Sequence, residues 1–264
     1  MLPGVLHTHS TYSDGEFTLA ELRSLFAAAG CRFLCVTDHR DAFDAAKRDA
    51  YVAECAERSD AWFRFVPGLE YSCANRMHVL GYGVTELIDS TDPQEVIAGI
   101  HAAGGVPVIA HPKDTAFADI ERFTVLPDGI EAWNTKYDGR YAPRPATFAL
   151  IERLRAREPK IHAFYGQDLH WRTQYRGMLT RVDADQLARE AILNALRDGR
   201  FVGVKDGMEL PATGVLPASI VAGFGAAHGR SDRLRQAMRR AKSWADRAGL
   251  TVPTALKAQL RRLF

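Results

Sequence analysis

Short apolar runs alternate with segments of helical periodicity along most of the chain. Residues 5–9, 32–37, 63–69, 77–82, 106–110, 129–133, 160–165 and 201–204 read as strands, each about as long as one buried strand. Between them, residues 18–29 predict a helix. Thr18 and Glu21 form a capping box, Leu19, Leu22, Leu25 and Phe26 mark the apolar face, and Gly30 stops it. Further helices are expected over 42–58, from Asp92-Pro93 to Gly104-Gly105, over 146–157 and over 184–197, the second opened by Asp as cap and Pro in the first turn. After the last strand comes a turn at Asp206-Gly207. Such alternation predicts a parallel sheet with covering helices.

Near Leu216 the pattern changes. Residues 217–227 are apolar and glycine-containing, and 231–247 and 253–264 read as two basic helices separated by Gly249. The expected organisation is therefore an α/β barrel over 1–215 and a basic helical extension over 216–264, in a chain of 264 residues that suits one barrel of about 250. Residues 229–264 hold ten Lys/Arg against two Asp/Glu, leaving 24 basic and 30 acidic residues elsewhere. An acidic body thus carries a basic tail. Arg233, Arg240 and Arg247 recur at sevens, opposite Leu234, Ala237, Met238, Ala241 and Ala245. This suits an amphipathic face packed on the body or on a second copy in a homo-oligomer. A nucleic-acid contact is the sharper alternative, weakened by having only Trp244 and Phe264 as interleaved aromatics. No run of about 18 apolar residues predicts a membrane span, and the start, Met1-Leu2-Pro3-Gly4-Val5, lacks signal-peptide features. Cys31, Cys35, Cys55 and Cys73 form no CxxC pair. Scattered cysteines without an export signal lead us to expect a cytoplasmic protein without a thiolate metal site.

Polar chemistry concentrates where the apolar runs end. His7-Thr8-His9 places two imidazoles on one face of a strand, and Asp14 follows in a loop closed by Gly15. Asp38-His39 ends the second run and Glu70 the third; His78 opens the next. His111-Pro112 and Gly166-Gln167-Asp168-Leu169-His170 end two others. In a parallel barrel the C-terminal strand ends converge on one face. Imidazoles and carboxylates gathered there suit Zn²⁺, Mn²⁺ or iron, and carboxylates can bridge the two ions of a phosphoester-cleaving site.

These motifs resemble the PHP (polymerase and histidinol phosphatase) family. The likeness rests on His7-Thr8-His9, the Ser-Asp-Gly turn at 13–15, Thr37-Asp38-His39, Glu70, His78-Val79-Leu80-Gly81-Tyr82, Ala110-His111-Pro112 and Gly166-Gln167-Asp168-Leu169-His170, with Gly177 and Thr180 beyond. It spans residues 5–205. It implies a distorted (β/α)7 barrel and two to three divalent ions. His7, His9, Glu70 and Asp168 would hold the first ion. Glu70, His78 and His111 would hold the second. Asp14, His39 and His170 would hold a third, with Asp168 able to bridge. All nine ligand positions are filled. The implied activity is phosphoester hydrolysis by a metal-bridging hydroxide, with Asp168, Glu70 and His9 central, on a small phosphorylated metabolite or nucleotide. Only the residues from His78 to His111 separate two points between which family members that trim nucleotides or RNA ends usually carry an inserted lobe. That disfavours the alternative of a DNA- or RNA-end nuclease. A non-catalytic metal-dependent binding module is the third reading.

Lys113, Arg40 and Arg172 follow ligand motifs directly and are candidates for binding the substrate phosphate. Asp38 is expected to orient an imidazole. His101 at a helix end and His162 within a strand are expected to be structural, and His228 belongs to no motif. Trp133 and Asn134 end a strand and either line the pocket or, for Trp133, fill the core.

Overall fold

The computed structural model describes residues 1–247. Seven strands form the body: β1 (Leu2–Thr8), β2 (Phe33–His39), β3 (Arg64–Ser72), β4 (His78–Tyr82), β5 (Val106–Ala110), β6 (Gly129–Asn134) and β7 (His162–Gly166). Three more, β8 (Leu179–Val182), β9 (Phe201–Lys205) and β10 (Met208–Pro211), follow. The sheet runs β10-β9-β8-β1-β2-β3-β4-β5-β6-β7. It curls until the end of β7 meets the end of β1, where Thr8 bridges to Leu169 and the His9 amide donates to the Leu169 carbonyl at 2.9 Å. β1 is shared. Its first residues, Leu2 to Gly4, pair with β8, and its last residues close the barrel. The distorted seven-stranded barrel implied by the motifs is thus present, with β8–β10 as an antiparallel meander at its seam.

The sheet is not wholly parallel, which corrects the expectation from alternation alone. β4 runs antiparallel to both β3 and β5. No crossover helix separates β3 from β4; a short loop with Asn75 and Arg76 at positive φ turns the chain back instead. Reversal has a useful consequence. The start of β4, not its end, lies at the rim where β3 and β5 end, so His78 pairs with Ala110 and Ser72. β8 and β10 were not anticipated. The Asp206-Gly207 turn is a two-residue hairpin loop with both residues at positive φ (50° and 81°), and its Asp-Gly dipeptide suits that twist.

Helices α1 (Leu19–Ala28), α2 (Ala45–Glu57), α3 (Pro93–Ala102), the single turn α4 (Phe117–Ile120) and α5 (Pro145–Arg155) follow β1, β2, β4, β5 and β6 in turn. Helix α6 (Arg189–Arg197) lies across the barrel end opposite His78. There Leu187, just before it, accepts from Arg64 at the start of β3, and Arg197 Nη2 reaches the Gly104 carbonyl before β5 while its own carbonyl meets His162 Nε2 at 3.1 Å. That contact and burial make His162 structural, as expected. α6 plugs the floor and leaves the other rim for chemistry.

The tail differs from expectation in its first half. One helix, α7, runs Ala218–Arg247, so the apolar segment before residue 231 belongs to it. Phe224 anchors it, 5% exposed, between Trp133 and Phe148. Leu234 and Trp244 are exposed. The expected second helix over 253–264 lies outside the described residues. No helix among the described residues is long and apolar enough to cross a membrane.

Helix α1 begins as the sequence requires. The Thr18 hydroxyl accepts from the Glu21 amide at 3.2 Å, and the Glu21 carboxylate accepts from the Thr18 amide at 2.9 Å. Thr18→Ala should cost roughly 1 kcal/mol of stability, read as a lower midpoint in urea at unchanged slope; an unaltered midpoint would show that the box carries no weight in the folded chain.

Candidate metal centre

The nine residues singled out by sequence meet at the barrel mouth. Glu70, at the end of β3 and 1% exposed, is the hub. Its Oε2 lies 3.4 Å from His7 Nε2, 3.1 Å from His9 Nε2 and 3.4 Å from His39 Nδ1. Its Oε1 lies 2.7 Å from His78 Nδ1 and 3.2 Å from His111 Nε2. Asp168, equally buried, faces His7, His9 and His170 through Oδ1 and His111 through Oδ2, at 3.1 to 3.7 Å. Asp14 is more open. Its Oδ1 is 3.2 Å from His170 Nε2 and 3.7 Å from His39 Nε2.

Three compact donor groups emerge, each with ligand atoms within 4.8 Å of one another: His7–Glu70–His111, His7–His9–Asp168, and His9–Asp14–His39–His170. The partition differs from the one implied by resemblance: His9 also joins the outer group, Glu70 is absent from the group of His7, His9 and Asp168, and His7 stands in place of His78 beside Glu70 and His111. His78 meets Glu70 Oε1 and packs against the rings of His39 and His111. The donor chemistry fits divalent ions. Both ring nitrogens of His9 are buried without a hydrogen bond, so the single lone pair of its neutral imidazole is unclaimed within a carboxylate-rich mouth. Hard and borderline donors, with no thiolate, suit zinc, manganese or iron alike.

The backbone bends to achieve this. His7, His111 and Asp168 all have positive φ (57°, 28° and 50°), a conformation that costs L-residues about 1–3 kcal/mol each and persists only where surroundings over-determine it. In β1 the register shifts between Val5 and Thr8. His7 and His9 therefore share the mouth by way of a local irregularity, not by the regular alternation the sequence suggested. At β7 and β5 the same device turns Asp168 and His111 inward just after the last strand residue.

Electrostatics follow from three buried carboxylates in one place. Burial alone would lower the pKa of His7, but Glu131, Asp168 and Glu70 outweigh it and raise it well above the usual imidazole value. His9 likewise is held down by burial and lifted by Asp168 and Glu70 to about 9. Burial would raise Glu70 and Asp168, yet the neighbouring imidazoles, His7 foremost among the charges, hold both well below the usual carboxylate range. Burial prevails at His39 and lowers it.

Two residues at the mouth were not read from the sequence. Glu131, on β6 and 1% exposed, accepts from His7 Nδ1 at 2.8 Å, from the His111 amide at 2.9 Å and from Asn134 Nδ2 at 2.9 Å. It fixes the tautomer of His7 so that Nε2 faces Glu70. This is the orienting role expected of Asp38, which instead accepts from the Ser10 amide and from the Ser10 and Ser13 hydroxyls at 2.5 to 2.8 Å and shapes the loop that carries Asp14. Lys136, in the turn after β6, places Nζ 3.0 Å from Asp168 Oδ1 and 3.2 and 3.4 Å from the ring nitrogens of His170. An acidic residue inside an apolar strand was the available signal for Glu131. For Lys136 it was a cation just past a strand end, the criterion that singled out Lys113.

None of the three basic residues proposed for substrate makes a hydrogen bond or ion pair with the nine. Lys113 is exposed beside Pro112. Arg172 lies over the Phe17 ring at 4.7 Å and near Glu16 and Glu21. Arg40 lines a separate cavity of about 410 Å³ with Tyr71, Ser72 and Asp89. Trp133 is core, its Nε1 donating to the Gly139 carbonyl. Asn134 braces Glu131 and the following turn. His101 pairs with Asp128 at 3.2 Å at the end of α3, a structural role as expected.

Comparison with known proteins agrees at the level of the fold. No protein-family model matches the chain. A two-domain protein from Bacteroides vulgatus, described as containing a predicted PHP-like metal-dependent phosphoesterase, superposes with a TM-score of 0.55 at 15% identity, over 79% of this chain and 66% of that one. PsfC from Pseudomonas syringae superposes with a TM-score of 0.53 at 14% identity, over 87% and 98%. In sequence, 130 residues are 28% identical to the DNA polymerase/3'-5' exonuclease PolX of Bacillus subtilis, covering 45% of this chain but only 22% of that protein. The resemblance to the PHP family is borne out in the architecture.

Two outcomes test this centre. Glu131→Gln should lower divalent-metal affinity by about 10- to 100-fold, the usual effect of losing a partner behind a ligating histidine, while circular dichroism stays native. Chelated protein should also respond to pH through His9. Its pKa is about 9 in the folded chain against an ordinary 6.5, so its stabilising contribution is complete below about 6.5 and lost as pH rises toward 9. Melting temperature should fall across that window with chelator. It should rise when divalent ions are present, because ligation needs the imidazole deprotonated; identical trends in the two samples would refute the assignment.

Proposed function

We propose that the protein is a metal-dependent phosphoric ester hydrolase, acting as a phosphomonoesterase on a small phosphorylated metabolite or nucleotide. The observation that carries this reading is the pair of buried carboxylates, Glu70 and Asp168, each faced by several imidazoles in a single mouth. In this reading His7, His9, Asp14, His39, Glu70, His78, His111, Asp168 and His170 hold two or three divalent ions. Such ions, when bound, acidify water and neutralise phosphoryl oxygens.

The remaining work falls to the chain's own groups. Glu70 presents its two oxygens to different imidazoles, Oε2 to His7, His9 and His39 and Oε1 to His78 and His111, the disposition of a carboxylate shared between two positions. Glu131 holds His7 in one orientation, so that ligand needs no reorganisation as charge develops. Lys113, exposed beside the His111-Pro112 bend, is proposed to meet the outer phosphate oxygens. Arg40 and its cavity would meet the remainder of the substrate.

A second reading rests on the Bacillus relative, whose name includes a 3'-5' exonuclease. In it the basic helix α7 grips a strand end.

A single experiment separates these readings. Purified protein is analysed for metals and then offered phosphomonoesters, diesters and a labelled oligonucleotide over a range of salt. The phosphomonoesterase reading expects turnover of monoesters that falls to background, together with metal content, in His9→Ala and Asp168→Asn. Oligonucleotide cleavage that collapses steeply with salt would favour the nuclease. Turnover that persists in His9→Ala would sink the assignment of this mouth as the active site.

A further inference from the structure

The ammonium of Lys136 sits where the outermost ion of the cluster would draw its ligands. It contacts Asp168 Oδ1 at 3.0 Å and both ring nitrogens of His170. His170 Nδ1 lies 3.1 Å from the Asp168 carbonyl, which only accepts and so favours the tautomer with the proton on Nδ1. The lone pair then rests on Nε2, the atom that faces Asp14 Oδ1 at 3.2 Å and Lys136 Nζ at 3.4 Å. A lone pair can accept a proton donor or bind an ion, but not both. The Asp168 oxygen used by Lys136 is also the one that faces His9 and His170.

The lysine is built for this position and able to leave it. Tyr137 and Trp171 flank the ammonium with ring centroids at 5.2 and 6.0 Å, within reach of cation–π attraction. Both rings are about half exposed, and the backbone of Lys136 is pinned by Asn134 Oδ1 at 3.1 Å. The turn is therefore fixed, while a long flexible side chain bears the charge toward the opening.

We infer that Lys136 is an intrinsic competitor for the outer cation position formed by Asp14, His39 and His170. Ammonium and divalent ion exclude each other there, through one lone pair and through like charge beside one carboxylate oxygen. The positions around Glu70, with which Lys136 makes no contact, fill first, although the Asp168 oxygen it holds also faces His7 and His9. The outer one fills only when the ammonium swings away, and a displaced ammonium at the mouth is then available to a phosphoryl group. This inference rests on the metal-dependent reading of the same mouth.

The test counts ions and does not depend on turnover. Chelated wild-type protein, Lys136→Met and Lys136→Gln are titrated with Mn²⁺ by calorimetry at one pH, and bound metal is counted after equilibrium dialysis. Both variants should bind the weakest ion at least tenfold more tightly than wild type, a larger gain than at the tighter ions, which share only Asp168 with the ammonium. Adding Asp14→Asn to Lys136→Met should abolish that gain, because it removes the outer position itself. Equal stoichiometry and affinity in wild type and both variants, or a gain that survives Asp14→Asn, would overturn the competition. Failure of wild type and variants alike to bind any ion would overturn it together with the metal-dependent reading.

Discussion

Everything at the mouth of this barrel answers to one requirement: three carboxylates, Glu70, Asp168 and Glu131, are each about 1% exposed and lie within one imidazole's width of each other. Removing charges from water costs several kcal/mol apiece even after relaxation. Like charges so close would drive protonation of at least one unless positive or donor groups intervene. Imidazoles supply that compensation. The His7 ring touches all three carboxylates, which is why its pKa is lifted despite complete burial. The same demand makes the site receptive to divalent ions, since each ion offsets two charges and leaves the imidazoles neutral.

The fold meets this demand by bending backbone as well as by placing strands. Parallel strand ends alone would supply Glu70, His39, His111 and Asp168. Reversal of β4 adds His78 from a strand start. Positive φ at His7, His111 and Asp168 then rotates three donors into the cavity. Glu131 shows how the strain is held. One of its oxygens accepts from the His7 ring and the other from the His111 amide, so a single buried side chain fastens two of the three strained residues. Packing leaves Glu131 little freedom. A methyl group on Gly166, the residue that leads into Asp168, would collide with its carboxylate and press on His7 Cβ. Gly166, Glu131 and His7 form one close-packed layer beneath the imidazole cluster.

Much of this was legible in the sequence because apolar runs mark strands and polar residues at their ends mark the rim. All nine predicted donors meet, and the barrel, its helices and the α1 capping box lie within a few residues of expectation. What escaped has physical reasons. β8 and β10 are four residues each, too short for periodicity to reveal. The direction of β4 depends on a loop, not on the strand's own pattern. Glu131 sits inside an apolar run with no motif around it, and its role exists only because β6 lies beside β5 and close to β1 in space. Asp38, adjacent to His39 in sequence, looked like the better partner for an imidazole. The structure turns it toward Ser10 and Ser13 because successive strand residues point to opposite faces. Helix α7 was misjudged at its start since Gly223, Gly225 and Gly229 lower helix propensity. Packing of Phe224 against Trp133 and Phe148 offsets that cost.

The cluster is graded from inside to outside, and the gradient orders its chemistry. At the inner end Glu70 is sealed by five imidazoles and Glu131 locks the geometry behind them. At the outer end Asp14 is 56% exposed on a loop, His39 is partly exposed, and their neighbour His170 meets a lysine on a turn. A buried inner cluster has little room to change partners, whereas an exposed outer edge can exchange them. Arginine in place of Lys136 would not do the same work. Its planar fork would tie down the carboxylate in two bonds, whereas a single ammonium on a four-carbon stem can trade one partner for another. The flexible charge thus stands at the opening, and the fixed charges stand behind it.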